Sequence, residues 1–390
     1  MKELPLLVAG GGIAGLAAAL SLARPGKHVR LFEQAMAFAE VGAGLQMSPN
    51  GVRALMALGA WEHVEASCVI PSEIHMRDGV SGALLQRIRL GKPFEQRFGA
   101  PYRVCHRADL LAGLLTAARQ QPGIELTTGL AVHGLMDKGF RLADGQDIAG
   151  AAVIAADGIR SALRSGVCGA VEPQLRGVAL YRSLLPLSQL PRETIPDCVT
   201  LWLCPGAHVV HYPVSNWRNL NIVVAVDGAA QDGGWQSPAT GEELRGHFAD
   251  ACPALADLLA RGPSWRRWVG ADLPPLNSWS SGHTVLLGDA AHATLPFLAQ
   301  GAMMALEDAV VLGQEMRRTT DLGQAFASYE RRRKPRTARI QAQSRAMKSA
   351  YHASGMKASA RNLLLQGAGP RFALNRLGWI YRWTPENGGG

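Results

Sequence analysis

Short apolar runs and one glycine-rich turn alternate over the first 33 residues of the chain. Leu6–Ala9 is apolar, and an Ala- and Leu-rich stretch over Leu16–Ala23 follows the glycines. Val29–Phe32 carries β-forming residues and leads into Glu33. A strand-like run, a helical stretch and a second strand-like run within about 30 residues are typical of a βαβ unit. The apolar start is therefore predicted to fold as strand, turn and helix, rather than to serve as a signal peptide or a membrane helix.

Between residues 42 and 145 the sequence predicts a mixture of loops, helices and short strands. Residues 42–51 contain turn-forming residues and predict a loop, whereas Arg53–Val64 has a helical pattern. Short strands are predicted over residues 72–99, where Asp-Gly and Ser-Gly turns interrupt the sequence. Ala108–Gln120 predicts a helix, and an Asp-Gly turn favours a β-meander over residues 125–145.

From residue 177 onward the chain is rich in strand-like segments, and it ends in helices. Alternating apolar positions predict three strands, at Val199–Leu203, Ala207–Tyr212 and Leu220–Val226. The later elements predicted are a helix over Glu242–Arg261, a buried strand over His283–Leu287, and long helices over Gly301–Arg317 and Leu322–Tyr351. Strands that alternate with helices at both ends, around a strand-rich middle, predict an α/β fold.

The order of these patterns predicts a discontinuous domain with an insertion. The predicted parts are a Rossmann-like domain from residues 1–71, 100–175 and 275–350, an inserted β-sheet domain from residues 72–99 and 176–274, and a C-terminal helical segment from residues 351–390.

Composition narrows the class of protein. With 390 residues, 47% apolar and 18% charged, the chain has room for about two domains and is neither disordered nor collagen-like. Its formal charge of +9 suits anionic ligands, while 6% aromatic residues without basic–aromatic repeats argue against a nucleic-acid partner.

The six cysteines show no Cys-x-x-Cys spacing and predict reduced thiols in a cytoplasmic protein. No window is long and apolar enough to predict an integral membrane segment.

A dinucleotide-binding fingerprint lies between the first two predicted strands. Gly10, Gly12 and Gly15 form a Gly-x-Gly-x-x-Gly pattern, and Glu33 ends the second strand. The first glycine permits the tight turn, the second lets the backbone approach a pyrophosphate, and the third lets the helix pack on the strand. The glutamate can accept hydrogen bonds from ribose hydroxyls. The pattern predicts dinucleotide binding and leaves NAD and FAD as alternatives.

Two acidic turns later in the chain separate those alternatives. Asp157 follows a buried strand in Ala-Ala-Asp-Gly, and Asp289 follows another in Leu-Leu-Gly-Asp-Ala-Ala-His. With the fingerprint, these turns resemble the three signatures of the class A FAD-dependent aromatic hydroxylases, which share the p-hydroxybenzoate hydroxylase-like fold. The resemblance covers nearly the whole chain. It implies an FAD-binding Rossmann-like domain and a substrate-binding sheet domain. It also implies a set of cofactor-binding residues: Gly10, Gly12, Ala14, Gly15, Glu33, Gln34, Arg107, Asp157, Asp289, Gly301 and Ala302.

The resemblance also implies the reaction. In this family NADH or NADPH reduces FAD, and oxygen then gives a flavin C4a-hydroperoxide that hydroxylates an aromatic ring. The family binds its reductant without a second Rossmann domain, and the sequence has no second glycine fingerprint. The implied partners are therefore a small aromatic carboxylate and molecular oxygen. The C-terminal helices suit a homodimer contact, but the sequence leaves the oligomeric state open.

The middle of the chain supplies the candidate catalytic residues. In the predicted strand over Ala207–Tyr212, side chains alternate, so His208 and Tyr212 share one face and His211 lies on the other. A histidine and a phenol on one face can bind and deprotonate a substrate hydroxyl. By resemblance, these two residues match the pair that does so, and Gln300 matches a glutamine beside the substrate ring and flavin.

Within the family, the chain is most similar to enzymes that convert 3-hydroxybenzoate into 2,5-dihydroxybenzoate (gentisate). Conversion of salicylate to catechol and hydroxylation of 6-hydroxynicotinate are the alternatives. Ala293 follows His292 where many relatives have proline, so the identity of the substrate and the ring position that is hydroxylated stay open. From another class, a nicotinamide-only dehydrogenase or a non-catalytic nucleotide-binding protein also fits the first fingerprint alone.

A basic segment spans residues 331–348 and contains a run of three arginines and a lysine. Its pattern predicts a solvated helix face. Attraction of an anionic substrate, an acidic lipid or a partner subunit is the alternative.

Overall fold

The computed structural model describes residues 4–39, 43–191, 195–228 and 234–387. Its strands are β1 (Leu6–Ala9), β2 (Val29–Phe32), β3 (Gly44–Met47), β4 (Glu73–Asp78), β5 (Leu84–Arg89), β6 (Arg103–His106), β7 (Ile124–Thr127), β8 (Val132–Met136), β9 (Gly139–Leu142), β10 (Asp147–Ala149), β11 (Ala152–Ala155), β12 (Gln174–Pro186), β13 (Val199–Cys204), β14 (Ala207–Val214), β15 (Asn219–Asp227), β16 (Gln236–Ala239), β17 (Trp265–Asp272), β18 (Ser280–Ser281) and β19 (Thr284–Leu286).

Its helices are α1 (Ile13–Leu22), α2 (Pro49–Ala57), α3 (Trp61–Glu65), α4 (Lys92–Phe98), α5 (Arg107–Arg119), α6 (Arg164–Cys168), α7 (Gly241–His247), α8 (Pro253–Ala260), α9 (Asp289–His292), α10 (Gly301–Arg318), α11 (Leu322–Tyr351) and α12 (Gly355–Tyr381). The last of these bends at Gly369, whose φ is 65°.

A six-stranded sheet forms the centre of the α/β part, in the order β18-β19-β11-β1-β2-β7. β1 runs parallel to β2 and to β11, and β11 runs parallel to β19. Leu7 and Val8 are fully buried, because α1 packs against β1 and against α5 and α10. Continuous apolar strands are expected in a parallel sheet whose faces are covered by helices. The predicted strand, turn and helix at the start of the chain are confirmed.

An eight-stranded sheet forms the second part, in the order β16-β17-β12-β15-β14-β13-β4-β5. Its strands come from residues 73–89 and 174–272, so the chain enters this sheet twice. One face of the sheet, which includes Val209 and Val224, packs with Leu255 of α8 in a buried apolar core. The opposite face is turned toward the α/β part. The α/β fold with an added sheet and C-terminal helices is confirmed, whereas the exact domain boundaries stay a prediction.

Several predicted elements differ from the structure. Within the predicted loop at 42–51, residues 44–47 form a strand paired with β6, and Pro49 begins α2; residue 42 lies outside the described residues. The helix predicted over Arg53–Val64 is two helices, because the chain turns at Gly59 with a φ of 68°. Residues 92–98 form a helix rather than a strand.

The remaining differences concern residues 124–145 and 241–261. Ile124–Thr127 leaves the predicted meander to pair in parallel with β2, and the three-stranded meander is β8, β9 and β10. The helix predicted over Glu242–Arg261 is divided into α7 and α8, with Pro253 at the start of the second. Proline is favoured in the first turn of a helix and disfavoured in its interior, which explains the break.

The solvated face predicted for residues 331–348 is wrong for two of its arginines. Arg333 and Arg336 of α11 are 0% and 3% exposed. They face Glu307 and Asp308 of α10, which are also fully buried. Buried carboxylates require cationic partners, so part of the basic run belongs to the interior of the protein.

No helix among the described residues combines the length and the apolar character needed to cross a lipid bilayer.

Candidate active site

A cavity of about 890 Å³ lies between the α/β part and the open face of the eight-stranded sheet. Most of the residues predicted to form the site line it: Gly10, Gly12, Ala14, Glu33, Gln34, Arg107, Asp157, His208, Tyr212, Asp289, Gly301 and Ala302. Two do not. Gly15 lies in the first turn of α1, and Gln300 lines a second, mainly apolar cavity of about 280 Å³ on the other side of His208.

At the glycine turn between β1 and α1, one glycine has free space beside its Cα, and two others are packed against backbone atoms. A Cβ on Gly10, whose φ is +103°, would lie 2.4 Å from Ala156 O. A Cβ on Gly15 would lie 1.8 Å from Gly10 O, whereas one on Gly12 would meet no atom within 4 Å. The first and third glycines are thus required by the protein's own packing. The second leaves free space over the helix start, where a pyrophosphate would bind.

Glu33 is held at the end of β2 by two backbone amides. Its Oε2 accepts from Gly11 N–H at 2.7 Å and its Oε1 accepts from Ala35 N–H at 2.8 Å. These bonds fix the carboxylate beside the glycine turn at the cavity wall. A carboxylate in this position can accept hydrogen bonds from ribose hydroxyls.

Asp157 contributes an oxygen that the protein itself does not use. Its Oδ2 accepts from Leu163 N–H at 3.3 Å, while Oδ1 is buried without a hydrogen-bond partner among the described residues. Burial raises the pKa of this carboxyl, against the effect of hydrogen bonds from Ser161 and the backbone. A buried polar atom without a partner at a cavity wall is a place where a ligand can complete the hydrogen bonding.

The third turn packs directly on the first helix. Gly288, with a φ of +63°, precedes Asp289, and a Cβ on it would lie 3.0 Å from Ala14 Cβ. The N-terminus of α10 follows, with Gly301 and Ala302 at the cavity wall. The amide groups and positive dipole end of this 18-residue helix therefore face the cavity. Three turns that are far apart in sequence meet around one space.

His208, Val210 and Tyr212 line the cavity from β14, while His211 lies on the other face and stacks with Trp202. The predicted alternation along this strand is confirmed. In the antiparallel register His208 is opposite Ala225 of β15, which is opposite Leu180 of β12. This face of the sheet is therefore an apolar wall that carries a few polar groups.

His208 is buried and hydrogen-bonded to a residue that the sequence analysis did not identify. Its Nδ1 lies 2.8 Å from Nε2 of His352, which follows the last residue of α11. Burial, and then the charge of His352, lowers the pKa of His208 well below its ordinary value. The imidazole is therefore neutral near pH 7 and able to accept a proton. No motif marks His352, which is 144 residues away.

Tyr212 is also buried, and its hydroxyl stays protonated. Burial raises the pKa of Tyr212 well above its ordinary value, with Arg182 and a hydrogen bond with Gln46 acting in the opposite direction. Arg182 of β12 lines the same cavity, and its guanidinium lies 4.9 Å from the ring centroid of Trp268. Sequence patterns did not single out Arg182, although an arginine on a strand beside apolar neighbours is a recognisable signal.

Gln300 takes part in a buried hydrogen-bond network. Its Oε1 accepts from Asn50 Nδ2 at 2.9 Å, and its Nε2 donates to Ser48 Oγ at 2.9 Å. Asn50 Nδ2 also donates to Glu307 Oε1 at 2.7 Å. These hydrogen bonds fix the Gln300 side chain at the N-terminus of α10. That this side chain lies beside a substrate ring stays a prediction.

The carboxylates of α10 connect this network to the third turn. Asp308 Oδ2 lies 2.5 Å from His292 Nε2 and accepts from Gly288 N–H at 3.2 Å. Burial opposes its ionisation, but the charges of His292 and Arg333 outweigh burial and hold the pKa of Asp308 below its ordinary value. An ionised, buried Asp308 thus holds the turn that presents Asp289 to the cavity.

Comparison with known proteins agrees with this geometry. A family described as FAD binding domain matches residues 3–344. The chain belongs to this family. It is 38% identical to a 3-hydroxybenzoate 6-hydroxylase of Polaromonas naphthalenivorans (strain CJ2), over 99% of this chain and 97% of that protein. The predicted class A FAD-dependent hydroxylase, with FAD as cofactor, is confirmed.

Solved structures show the same fold. A Klebsiella pneumoniae HpxO structure, complexed with FAD and uric acid, superimposes with a TM-score of 0.84 at 26% identity, over 99% of this chain and 96% of that one. A salicylate hydroxylase substrate complex gives a TM-score of 0.81 at 26% identity, over 100% of this chain and 97% of that one.

Proposed function

We propose that this chain hydroxylates 3-hydroxybenzoate to 2,5-dihydroxybenzoate, with NADH or NADPH and oxygen as co-substrates. The observation that carries the proposal is the arrangement of His208 and Tyr212 on one sheet face, across a single cavity from the glycine turn. A relative that is 38% identical over nearly its full length is named as a 3-hydroxybenzoate 6-hydroxylase.

The residues around the three turns fit FAD. Gly12 leaves room for the pyrophosphate, Glu33 would accept from the ribose, and Asp157 has an oxygen available for a hydrogen bond. Asp289 and the start of α10 would hold the ribitol and the flavin ring. When bound and reduced, the flavin activates oxygen and supplies it as an electrophile.

His208 would prepare the substrate for attack by that electrophile. The neutral imidazole accepts the hydroxyl proton of the substrate, and the resulting phenolate donates more electron density to its ortho and para carbons. Tyr212, held in its protonated form by burial, donates a hydrogen bond to the same oxygen. Attack at the carbon para to that oxygen gives 2,5-dihydroxybenzoate.

Arg182 and the apolar wall would orient the ring. The guanidinium lines the cavity on the same sheet face as His208 and can bind the substrate carboxylate. Leu180, Val210 and Ala225 line the space between them and limit the access of water. Together these groups would direct one carbon of the ring toward the flavin.

Two other ring substrates are distinguished by their products. Salicylate would give catechol, and 6-hydroxynicotinate would give a dihydroxypyridine. The test is oxygen-dependent NADH consumption with a panel of monohydroxybenzoates and 6-hydroxynicotinate, with products identified by mass spectrometry. Gentisate from 3-hydroxybenzoate supports the proposal. NADH oxidation that yields only hydrogen peroxide with this compound would refute it.

A further inference from the structure

Two further titratable side chains connect the cavity-facing histidine to the protein surface. His208 Nδ1 lies 2.8 Å from His352 Nε2, and His352 Nδ1 lies 2.9 Å from Asp227 Oδ1. Both imidazoles are buried, whereas the side chain of Asp227 is 38% exposed. The three groups form a line that consists of one hydrogen bond, between the two imidazoles, and one close ion-pair contact, between His352 and a buried oxygen of the partly exposed Asp227 carboxylate.

Backbone hydrogen bonds hold the parts of this line together. The carbonyl of His352, at the end of α11, accepts from Gly206 N–H at 3.0 Å. The carbonyl of Gly206 accepts from Asp227 N–H at 2.8 Å, which ties the end of β15 to the turn before β14. Because His208 is the second residue of β14, its imidazole is fixed relative to both partners.

The order of donors and acceptors along the line determines which nitrogen of His208 is free. A carboxylate can only accept, so a neutral His352 beside Asp227 carries its proton on Nδ1 and has a lone pair on Nε2. His208 then donates from Nδ1 to that lone pair. Its Nε2 is left with a lone pair, and His208 lines the cavity. The Asp227 carboxylate thereby fixes the tautomer in which His208 Nε2 can accept a proton from a ligand.

The surroundings of the line are apolar on the cavity side and charged at the surface. The rings of Phe297 and Tyr351 lie 5.0 Å and 5.2 Å from that of His208. At the outer end Lys348 Nζ lies 3.1 Å from Asp227 Oδ1. Among the described residues, further charged groups nearby are Arg182 in the cavity and Arg361 of α12, which donates to the last carbonyls of α11.

We propose that His352 and Asp227 carry the proton that His208 takes from the substrate hydroxyl out to solvent. The inference rests on the proposed function, because it requires a substrate hydroxyl at His208. Neither residue touches the substrate, so both act as positioning residues through His208 Nε2.

The transfer balances without any change in oxidation state. The substrate O–H bond breaks as a proton binds His208 Nε2, while the Nδ1 proton of His208 moves to His352 Nε2. The Nδ1 proton of His352 moves to the Asp227 carboxylate, which rotates in its exposed position and releases the proton to water. The substrate is left as a phenolate and both imidazoles remain neutral, each as its other tautomer. The product hydroxyl regains a proton along the same path.

The test uses the FAD-loaded full chain with 3-hydroxybenzoate, comparing wild type with Asp227→Asn and His352→Gln. An asparagine can donate to His352 and reverse the order of donors, while a glutamine keeps a polar contact but cannot pass a proton. Turnover, product yield and FAD content are measured from pH 6 to pH 10. Asp257→Asn removes a carboxylate from an exposed ion pair with Arg261 and serves as the matched control.

The expected result is a change in the pH profile. Both variants should retain FAD and thermal stability but lose roughly 1,000-fold in turnover at pH 7, within the range that a positioned proton acceptor supplies. Their turnover should rise about tenfold per pH unit toward pH ~10, where a phenol ionises in water without help. The control should follow the wild type.

Two results would overturn the inference, and they differ. If the wild type forms gentisate and either folded variant keeps the wild-type pH profile, the path through His352 and Asp227 is wrong while the proposed function stands. If the wild type forms no hydroxylated product from 3-hydroxybenzoate, the proposed function is wrong and the inference goes with it.

Discussion

Arg333 Nε donates to Asp308 Oδ1 over 2.6 Å, and both side chains are fully buried. The same guanidinium lies 2.7 Å from Glu307 Oε2. Asp308 in turn holds the backbone of Gly288 in the third turn of the candidate cofactor site. The ion pair between α10 and α11 therefore stabilises the fold and the shape of the site together.

Replacing Arg333 by methionine should destabilise the protein strongly. Glu307 and Asp308 would each lose one cationic partner, while Arg336 and His292 remain, and breaking a buried ion pair costs about 3–5 kcal/mol in comparable cases. The free energy of unfolding in urea is the measurement. Arg331→Met is the matched control, because Arg331 is exposed on the same helix and its loss should change stability by less than about 0.5 kcal/mol. Equal effects of the two substitutions would contradict the role given to the buried pair.

Two glycines of the first turn should respond differently to alanine. A Cβ on Gly12 meets no protein atom, so Gly12→Ala should fold normally and bind FAD more weakly. A Cβ on Gly15 would lie 1.8 Å from Gly10 O, so Gly15→Ala should lower the thermal midpoint. Thermal unfolding of the FAD-free protein and titration with FAD separate the two effects. A Gly12→Ala variant with unchanged FAD affinity would argue against pyrophosphate at this position.

His208→Ala should lose hydroxylation while it keeps FAD. Removal of a positioned proton acceptor lowers turnover by roughly 10²–10⁴-fold. Product formation and flavin absorbance are measured on the same sample, with His133→Ala, on an exposed position of β8, as the control. Normal hydroxylation by the His208→Ala variant would remove this residue from the mechanism.

His211 should make the protein less stable in acid. Burial, and then the charge of Arg77, lowers the pKa of His211 to about 4, from 6.5 for an ordinary histidine. Below pH 6.5 the unfolded chain binds a proton that the folded protein does not, so the free energy of unfolding falls as the pH drops to about 4. This group contributes a loss of about 3 kcal/mol over that range.

The contribution of His211 can be isolated by substitution. His211→Phe keeps a ring that can stack on Trp202 and removes the titrating group, so stability should fall less steeply between pH 6.5 and 4. His133→Gln should leave the slope unchanged. A His211→Phe variant with the wild-type slope would show that other groups cause the acid sensitivity.

Local patterns predicted the parts of the site that depend on nearby residues. The three glycines and Glu33 act within one βαβ unit, and strand alternation alone puts His208 and Tyr212 on one face. His352 could not be found this way, because its contact with His208 arises from the packing of the end of α11 on a strand, β14, that lies 144 residues earlier in the chain. Tertiary packing, rather than periodicity, decides such contacts.

The burial of Arg333 illustrates the same limit. A run of basic residues is ordinarily solvated, and nothing within α11 shows which side chains face a neighbour. The available signal was on the partner helix, where Glu307 and Asp308 stand among apolar residues of α10 and require cations if that face is buried. Reading the two helices together would have predicted the pairing.

The central claim is that three turns distant in sequence form one FAD site facing His208. The most direct measurement is the flavin content of the purified full chain, from its visible absorbance and from the FAD released on denaturation, before and after incubation with excess FAD. The account predicts a yellow protein with one FAD per chain. A colourless protein that does not take up FAD would contradict it.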